Sequence, residues 1–476
     1  MKMENNNSFW LETNQRKKYA ALQEDVSCDV CVIGGGITGI SCAYYLSKQG
    51  IDTVVLERDR IASKTTGHTT AKLTSQHDLF YDYLMMSKGK EFSKAYYEAN
   101  EQAIDNIEEI IKKEKIECDF KRVNHYVYTD DMNKVKQIKD EATAVKAIGG
   151  KCEVVTDIGV PTIHIQAALQ FLNQAQFNVI KYMSGLCDAI QENGGRIYEQ
   201  SKVVEYNKED ATFIVAVETK EGTYTVTCKH LVVATRYPIF NVPGFHFIKM
   251  YQEMSYGVAV KLPESIQISD MYISEEQPMI SLRTIENNGE RYLLVIGNNH
   301  KTGEEIDTTE RYHVLEEVAK QITGNDVGYR WNTEDCIGLD KIAYIGKYSN
   351  LTENMYVATG YKKWGMTTSN IAANIITDMI TGKENEWLSI FDATRLEPVK
   401  NREEVGNMVK ESVKSIVMPR LDIAREKKYC THLGCELTWN DLTKTWDCPC
   451  HGSRFEKSGE SVEAPSIKDI EEPKEH

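Results

Sequence analysis

A chain of 476 residues is too long for a single hydrophobic core, so two or three domains are expected. With 41% hydrophobic and 27% charged residues it has the balance of a folded globular protein; a formal net charge of -15 and no basic run argue against a nucleic-acid partner. No stretch approaches the ~18 consecutive apolar residues of a bilayer span, and the Asn-rich opening has no signal-peptide core. The expectation is a cytoplasmic protein without a transmembrane segment, peripheral membrane contact left open.

Residues 29–33 (DVCVI) form a short apolar run with strand character. They lead into Gly34-Gly35-Gly36-Ile37-Thr38-Gly39, a helical stretch over 40–48, and a second apolar run, 52–56, that ends at Glu57. Strand, glycine-rich turn, helix, strand and acid in that order point to a dinucleotide site. Gly34 permits the tight turn, Gly36 lets the backbone approach a pyrophosphate, and Gly39 lets the helix pack close to the sheet. The helix N-terminus adds free N–H groups and partial positive charge. Glu57 is placed to accept hydrogen bonds from ribose hydroxyls. Beside it, Arg58 joins the candidate cofactor residues, as does Thr66 in the hydroxyl-rich run Thr65-Thr66-Gly67-His68-Thr69-Thr70-Ala71-Lys72.

Residues 88–115 carry Phe92, Tyr96, Ala99, Ala103, Ile107 and Ile110 at helical spacing. A strand over 123–128, a helix to about 147 and a helix over 182–191, ended by Gly194-Gly195, follow. Residues 246–340 alternate more like strands. Within them Arg283 reads as a surface ion pair and His300 as part of a turn, in preference to substrate contacts.

A buried strand over 231–235 ends in the small-residue turn Ala234-Thr235, and another, 354–359, opens into Gly360-Tyr361-Lys362-Lys363-Trp364-Gly365-Met366-Thr367 before a helix over 368–380. A nucleotide-binding domain whose strands return near 231 and 355 is discontinuous, which favours FAD over NAD. The expected boundaries are 1–80, 151–245 and 341–395 for the FAD-binding domain, and 81–150 with 246–340 for an inserted substrate or cap domain. The remainder, 396–476, reads as a linker helix near 403–416, a small third domain and a solvated tail.

That last domain holds the sharpest motif. Cys430-Thr431-His432-Leu433-Gly434-Cys435 and Cys448-Pro449-Cys450-His451-Gly452-Ser453 present two Cys/His pairs on two turns. A Cys₂His₂ zinc site is conceivable. The two further cysteines, in matching places, favour the Rieske pattern of two thiolates on one iron and two imidazoles on the other. The ligands are then Cys430, His432, Cys448 and His451. The other eight cysteines are scattered and read as buried free thiols. Among them, Cys28 and Cys31 lie on a strand at a spacing that points them to opposite faces.

Over roughly residues 8–395 these motifs resemble the D-amino-acid oxidase/glycine oxidase superfamily of FAD enzymes. The likeness is greatest to the gamma-glutamylputrescine oxidoreductase-like branch, which shares a leader like Phe9-Trp10. The resemblance implies that the residue matching Val203 contacts adenine through its backbone, and that the strand end at Ala234 and Thr235 borders the cofactor. It also implies that Gly360, Trp364, Gly365, Met366 and Thr367 lie against the isoalloxazine. His68 stands where some dehydrogenases of the superfamily link FAD covalently, the other reading being a loop histidine bonded locally.

The C-terminal boxes resemble those of cytochrome bc-type Rieske proteins. That likeness implies a disulfide between Cys435 and Cys450 and a hydrogen bond from Ser453 to the cluster. Phe455 replaces a usual tyrosine, so the potential is expected below that of respiratory centres. The strands that precede the first box in flavin–Rieske fusions are shortened.

The fold expected is α/β: a discontinuous Rossmann-type FAD domain, an inserted α+β substrate domain and a small all-β Rieske iron–sulfur domain. The expected activity is a dehydrogenase that oxidises an amine or amino-acid-like substrate by hydride transfer to FAD. Electrons then pass singly through the [2Fe-2S] cluster to a quinone or redox protein. The alternatives are an oxygen-using oxidase with a bystander cluster, the same chain run in reverse, and a non-enzymatic flavin/iron–sulfur redox sensor.

Overall fold

The computed structural model describes residues 8–304, 308, 310–395 and 428–470. The helix expected at 403–416 and the tail 471–476 lie outside the described residues. Two large sheets and one small one carry the chain.

Short apolar, β-branched runs build the first sheet. Strand Val26–Ile33 is buried over its last four residues, and Thr53–Leu56 and Met355–Thr359 are buried throughout, as parallel strands covered on both faces must be. Across the sheet the order is Tyr344–Lys347, Met355–Thr359, Thr223–Val233, Val26–Ile33, Thr53–Leu56 and Arg196–Tyr198. All neighbours after the first pair run parallel. Their carboxyl ends therefore open on one edge, where Gly34, Glu57, Ala234 and Gly360 follow the strands, the position at which open α/β sheets bind ligands. Helices Ile37–Lys48, Val179–Glu192 and Gly365–Thr381 pack on this sheet's core.

The second sheet runs Val327–Gly338, Met250–Lys261, Glu290–Lys301, Ile280–Asn287, Met271–Ser274, Lys121–Thr129, Ala167–Gln176 and Lys72–Leu73, with Cys152–Val155 added on Ala167–Gln176. Three of these strands, 72–73, 152–155 and 167–176, come from stretches expected in the FAD domain. The second sheet thus draws on both sides of the boundaries placed at 80 and 151. Strand periodicity marks a strand but not the sheet that pairs with it. The long helix Lys90–Lys113 buries Tyr96, Ala99, Ala103, Ile107 and Ile110, the stripe its spacing predicts. A helix, Glu310–Thr323, interrupts the region 246–340, whose alternation is more strand-like.

Two further expectations are corrected here. Arg283 is not on the surface: it is 1% exposed and its guanidinium donates to the carbonyls of Thr70 (2.8 Å), Ala71 (2.7 Å) and Phe177. No carboxylate pairs with it among the described residues, and it lies over the Trp10 ring at 5.5 Å. His300 is not in a turn; it sits buried on strand Glu290–Lys301 with its Nε2 3.0 Å from Tyr256 Oη. In both cases a polar residue on a strand was given a solvent face that the neighbouring elements cover.

The small sheet is an antiparallel run of four strands: Thr438–Asn440, Thr445–Asp447, Arg454–Glu456 and Ser461–Glu463. The eight scattered cysteines are free, seven buried and Cys28 half-buried. Among the described residues no helix is long and apolar enough to cross a membrane.

Candidate active site and metal centre

The glycine-rich turn is built around backbone that side chains would obstruct. Gly34 has φ +109°, outside the range of most L-residues, and a β-carbon there would lie 2.6 Å from the Ala234 carbonyl oxygen. At Gly39 a β-carbon would collide with the Gly34 carbonyl, so the helix starts hard against the turn. Gly36 differs: the nearest atom to a β-carbon is Thr66 Oγ1 at 3.4 Å, and the position faces open cavity. Thr66 Oγ1 accepts from Ile37 N (3.0 Å), and Glu57 accepts from the amides of Gly35 (2.6 Å) and Asp59 (2.7 Å). The expected ribose-binding acid thus also braces the turn.

Two adjoining cavities run from this turn. The smaller, about 150 Å³, is bordered by Gly34, Glu57, Arg58, Val203, Ala234 and Thr235. The larger, about 370 Å³, is bordered by Gly360, Trp364, Gly365, Met366 and His68. Gly36, Thr65, Thr66, Ala234 and Arg236 border both, so together they form one continuous site, the larger cavity being its chamber. Trp364 is held by His77 stacked on it at 4.7 Å. Thr367 does not reach the cavity: its hydroxyl donates to Asn100 Oδ1 (2.8 Å) and ties the loop to the long helix. His68 borders the larger cavity, with Nδ1 2.7 Å from the Lys64 carbonyl oxygen, and burial pushes its pKa down to about 4.

The chamber is lined by acids that sequence reading did not single out. Asp78 pairs with Lys362 (3.2 Å), and Glu253 pairs with Lys363 (2.8 Å) and accepts from Asn299 (2.9 Å). Burial works to raise the Glu253 carboxyl, but Lys363 together with the hydrogen bonds from Tyr251 and Asn299 outweighs it and the net shift is downward. Asp335 forms no ion pair among the described residues. Burial raises its carboxyl above the usual aspartate value, with Lys363 and Arg236 only partly opposing. Lys72 also faces the chamber; burial drives its amine well below the usual lysine value, and it donates to the Tyr272 carbonyl (2.7 Å).

At the other end of the chain, two loops of like build face one another. Gly434 N donates to the Cys430 carbonyl and Gly452 N to the Cys448 carbonyl, each at 2.9 Å, and both glycines have φ +80°. Cys435 and Cys450 form a disulfide with Cα atoms 6.6 Å apart. The rings of His432 and His451 lie 5.0 Å apart, and the Cys430 and Cys448 thiols are close enough to perturb each other. Contact with Cys448, then with Ser453 and the His432 and Leu433 amides, pulls the Cys430 thiol below its ordinary value.

Nδ1 of both His432 and His451 is buried with no hydrogen-bond partner among the described residues. Two orphaned ring nitrogens would each cost about 1–3 kcal/mol if left bare. Beside two free thiols they are the donor set a Rieske cluster needs. Cys448 also lies near the sulfurs of Cys435 and Cys450, but those two are consumed in the disulfide.

The histidine edge of these loops rests on the flavin half of the chain. Nε2 of His432 is 2.6 Å from Asn241 Oδ1, and the Phe247 ring meets His432 and His451 edge-on at 6.1 and 5.7 Å. Gln252 donates to the carbonyls of His451 (2.7 Å) and Ala464 (2.9 Å). Its Oε1 lies 3.9 Å from the Sγ of Cys336, which borders the chamber. Asn241 and Gln252 sit some 190 to 200 positions before the groups they touch, and no local pattern announces them.

Residues 29–379 match the FAD dependent oxidoreductase family, and residues 399–474 match the Rieske [2Fe-2S] domain. The putative Rieske 2Fe-2S iron-sulfur protein YhfW of Bacillus subtilis (strain 168) is 35% identical, over 98% of this chain and 97% of that protein. Gamma-glutamylputrescine oxidoreductase of Escherichia coli (strain K12) is 26% identical, over 78% of this chain and 87% of its own length. The crystal structure of glycine oxidase from Geobacillus kaustophilus superposes with a TM-score of 0.65 at 15% identity, covering 78% of this chain and 100% of that one. The chain belongs to the FAD dependent oxidoreductase family and carries a Rieske [2Fe-2S] domain at its C-terminal end, with FAD and a two-iron cluster as its cofactors.

Proposed function

We propose that the chain is a dehydrogenase of amines or amino-acid-like compounds, with FAD along the joined cavities and a separate one-electron acceptor, a quinone or a small redox protein, beyond the cluster. When bound, FAD supplies a hydride acceptor and the cluster a one-electron outlet. Gly34, Gly36, Gly39 and Thr66 hold the pyrophosphate, and Glu57, Arg58 and Val203 the adenosine end. Ala234 and Thr235 border the middle of the cofactor. Gly360, Trp364, Gly365 and Met366 shape the flavin end, with Thr367 acting from behind through Asn100. Cys430, His432, Cys448 and His451 hold the cluster.

The observation that carries this reading is the bridge made by Gln252. It touches Cys336 on the chamber side and the His451 backbone on the cluster side, so a single side chain separates the two centres' walls. A bystander cluster needs no such contact. The relatives named for gamma-glutamylputrescine and glycine are named for amino compounds, which supports the substrate class. Inside the chamber Asp335 receives the substrate's ammonium, while Lys362 and Lys363 keep Asp78 and Glu253 neutralised and leave Asp335 as the chamber acid without an ion pair among the described residues. The cap sheet covers the chamber and excludes water.

The test is an anaerobic screen of amines and amino acids against purified protein, following flavin absorbance and the EPR signal of the reduced cluster together. Flavin bleaching followed by growth of the cluster signal is expected. Bleaching with an intact cluster that stays oxidised, and stoichiometric peroxide in air, would overturn the relay in favour of an oxidase.

A further inference from the structure

The Rieske domain does more than dock on the flavin half: its last strand and the turn after it enter the cofactor site. Glu463, Ala464 and Ile467 border the same cavity as Gly34, Glu57 and Val203. The segment is fastened at each end. Arg58 donates to the carbonyls of Val462 (2.6 Å) and Ser461 (3.4 Å), and Lys64 donates to Val462 (3.2 Å). Gln252 holds the Ala464 carbonyl. Glu463 pairs with Arg236 at 3.0 Å and Lys64 at 3.7 Å.

The fastening residues lie beside those expected to hold the cofactor, Lys64 near Thr66 and Arg236 next to Thr235, and Arg58 belongs to both sets. Seating the segment and shaping the dinucleotide cavity therefore use the same stretches of backbone. Charge points the same way. Glu463 is an acid placed in a cavity meant for a diphosphate, and Arg236 and Lys64 stand where they can neutralise both. Without the segment, one side of the cavity would open to solvent.

We propose that residues 461–467 of the Rieske domain form one wall of the FAD site, so that FAD retention and docking of the Rieske domain are a single linked equilibrium. By linkage, whatever factor docking contributes to FAD affinity, FAD contributes to docking. An FAD-free chain docks its Rieske domain weakly, and the cofactor leaves only when that domain has lifted. This rests on the FAD reading of the cavity.

The experiment uses the full chain with its cluster intact, before and after removal and re-addition of FAD. Hydrogen exchange at the amides of 461–467 should slow about tenfold or more on FAD addition. In parallel, Ile467→Ala, with its cluster verified by EPR, should bind FAD about five- to tenfold more weakly, the loss expected for uncovering two or three carbons in part. If FAD does not bind at all, the cofactor reading of the cavity fails. If FAD binds but exchange at 461–467 is unchanged, or if the variant keeps both its cluster and wild-type affinity, the linked wall is refuted. Should Ile467→Ala lose its cluster, the exchange measurement on the unaltered chain decides.

Discussion

Gln252 Nε2 donates a 2.7 Å hydrogen bond to the carbonyl oxygen of His451, joining a strand of the cap sheet to the second cluster loop. The contact is tight: a β-carbon on Gly452 would lie 2.5 Å from the same nitrogen. Only glycine lets the loop come this close. Gln252 also holds Ala464, so Gln252→Met strips the buried His451 carbonyl of its donor at a cost of about 1–3 kcal/mol, and the half-buried Ala464 carbonyl at less. Such a loss lowers the docked population tenfold or more. In stopped-flow measurements with FAD kept saturating, substrate should bleach the flavin at the wild-type rate while the cluster signal follows about tenfold more slowly. Equal slowing of both phases would mean that Gln252 supports the chamber and not the dock.

Asp335 makes a separate prediction about substrate. If it receives an ammonium, Asp335→Asn removes a charge-assisted hydrogen bond worth about 1.5–3 kcal/mol, raising KM about ten- to a hundredfold with a smaller change in kcat. The pH dependence has a definite sign. Burial raises this carboxyl above the usual aspartate value, and protonation removes the charge that holds the amine. KM should therefore climb as pH falls, beginning above the ordinary aspartate range, and Asp335→Asn should abolish that climb. A KM for amines that ignores both the substitution and acid would exclude this anchor.

Both cofactor motifs were legible because each is local. A glycine-rich turn needs residues without β-carbons at fixed short spacing, and the two cluster loops need thiol and imidazole within a few residues of each other. The turn at Gly34 and the twin loops closed by Gly434 and Gly452 bear this out in their geometry. What escaped was long-range. The strand Ala167–Gln176 looks the same in either sheet until its partners Lys121–Thr129 and Lys72–Leu73 are known. Arginine is usually exposed, but four backbone carbonyls and the Trp10 ring surround Arg283. The helix Glu310–Thr323 did carry a signal, Tyr312, Leu315, Ala319 and Ile322 at helical spacing, within a region that was judged as a whole.

The Phe9-Trp10 leader has a physical task that leads to a third prediction. Trp10 is fully buried, its Nε1 donates to the Thr69 carbonyl at 2.6 Å, and Phe9 packs on Tyr292 and Tyr329 of the cap. The leader thus ties the cap to the loop that borders both cavities. Trp10→Ala should cost about 3–5 kcal/mol, the range for emptying a large aromatic site. The thermal midpoint should drop and FAD should be released at lower temperature. Trp10→Phe keeps most of the packing and loses the hydrogen bond, so it should fall between. Wild-type stability in Trp10→Ala would show that the leader is dispensable.

The last prediction concerns the potential of the cluster. Ser453 is fully buried, its Oγ accepts the Ser466 amide at 3.1 Å, and it helps to hold the Cys430 thiol below its ordinary value. A donor aimed at an anionic sulfur stabilises the more electron-rich, reduced cluster and so raises the potential. Removing a hydrogen bond of about 1 kcal/mol lowers a one-electron potential by about 40 mV. Ser453→Ala should show a fall of that order in an EPR-monitored redox titration. Phe455 is buried among Cys430, Cys435, Cys448 and Cys450 and has no hydroxyl to offer. Phe455→Tyr should shift the potential upward by a similar amount, towards that of respiratory Rieske centres, below which the unaltered protein should lie. Substitutions that leave the potential where it was would show that charge and burial, not hydrogen bonds from these two positions, set it.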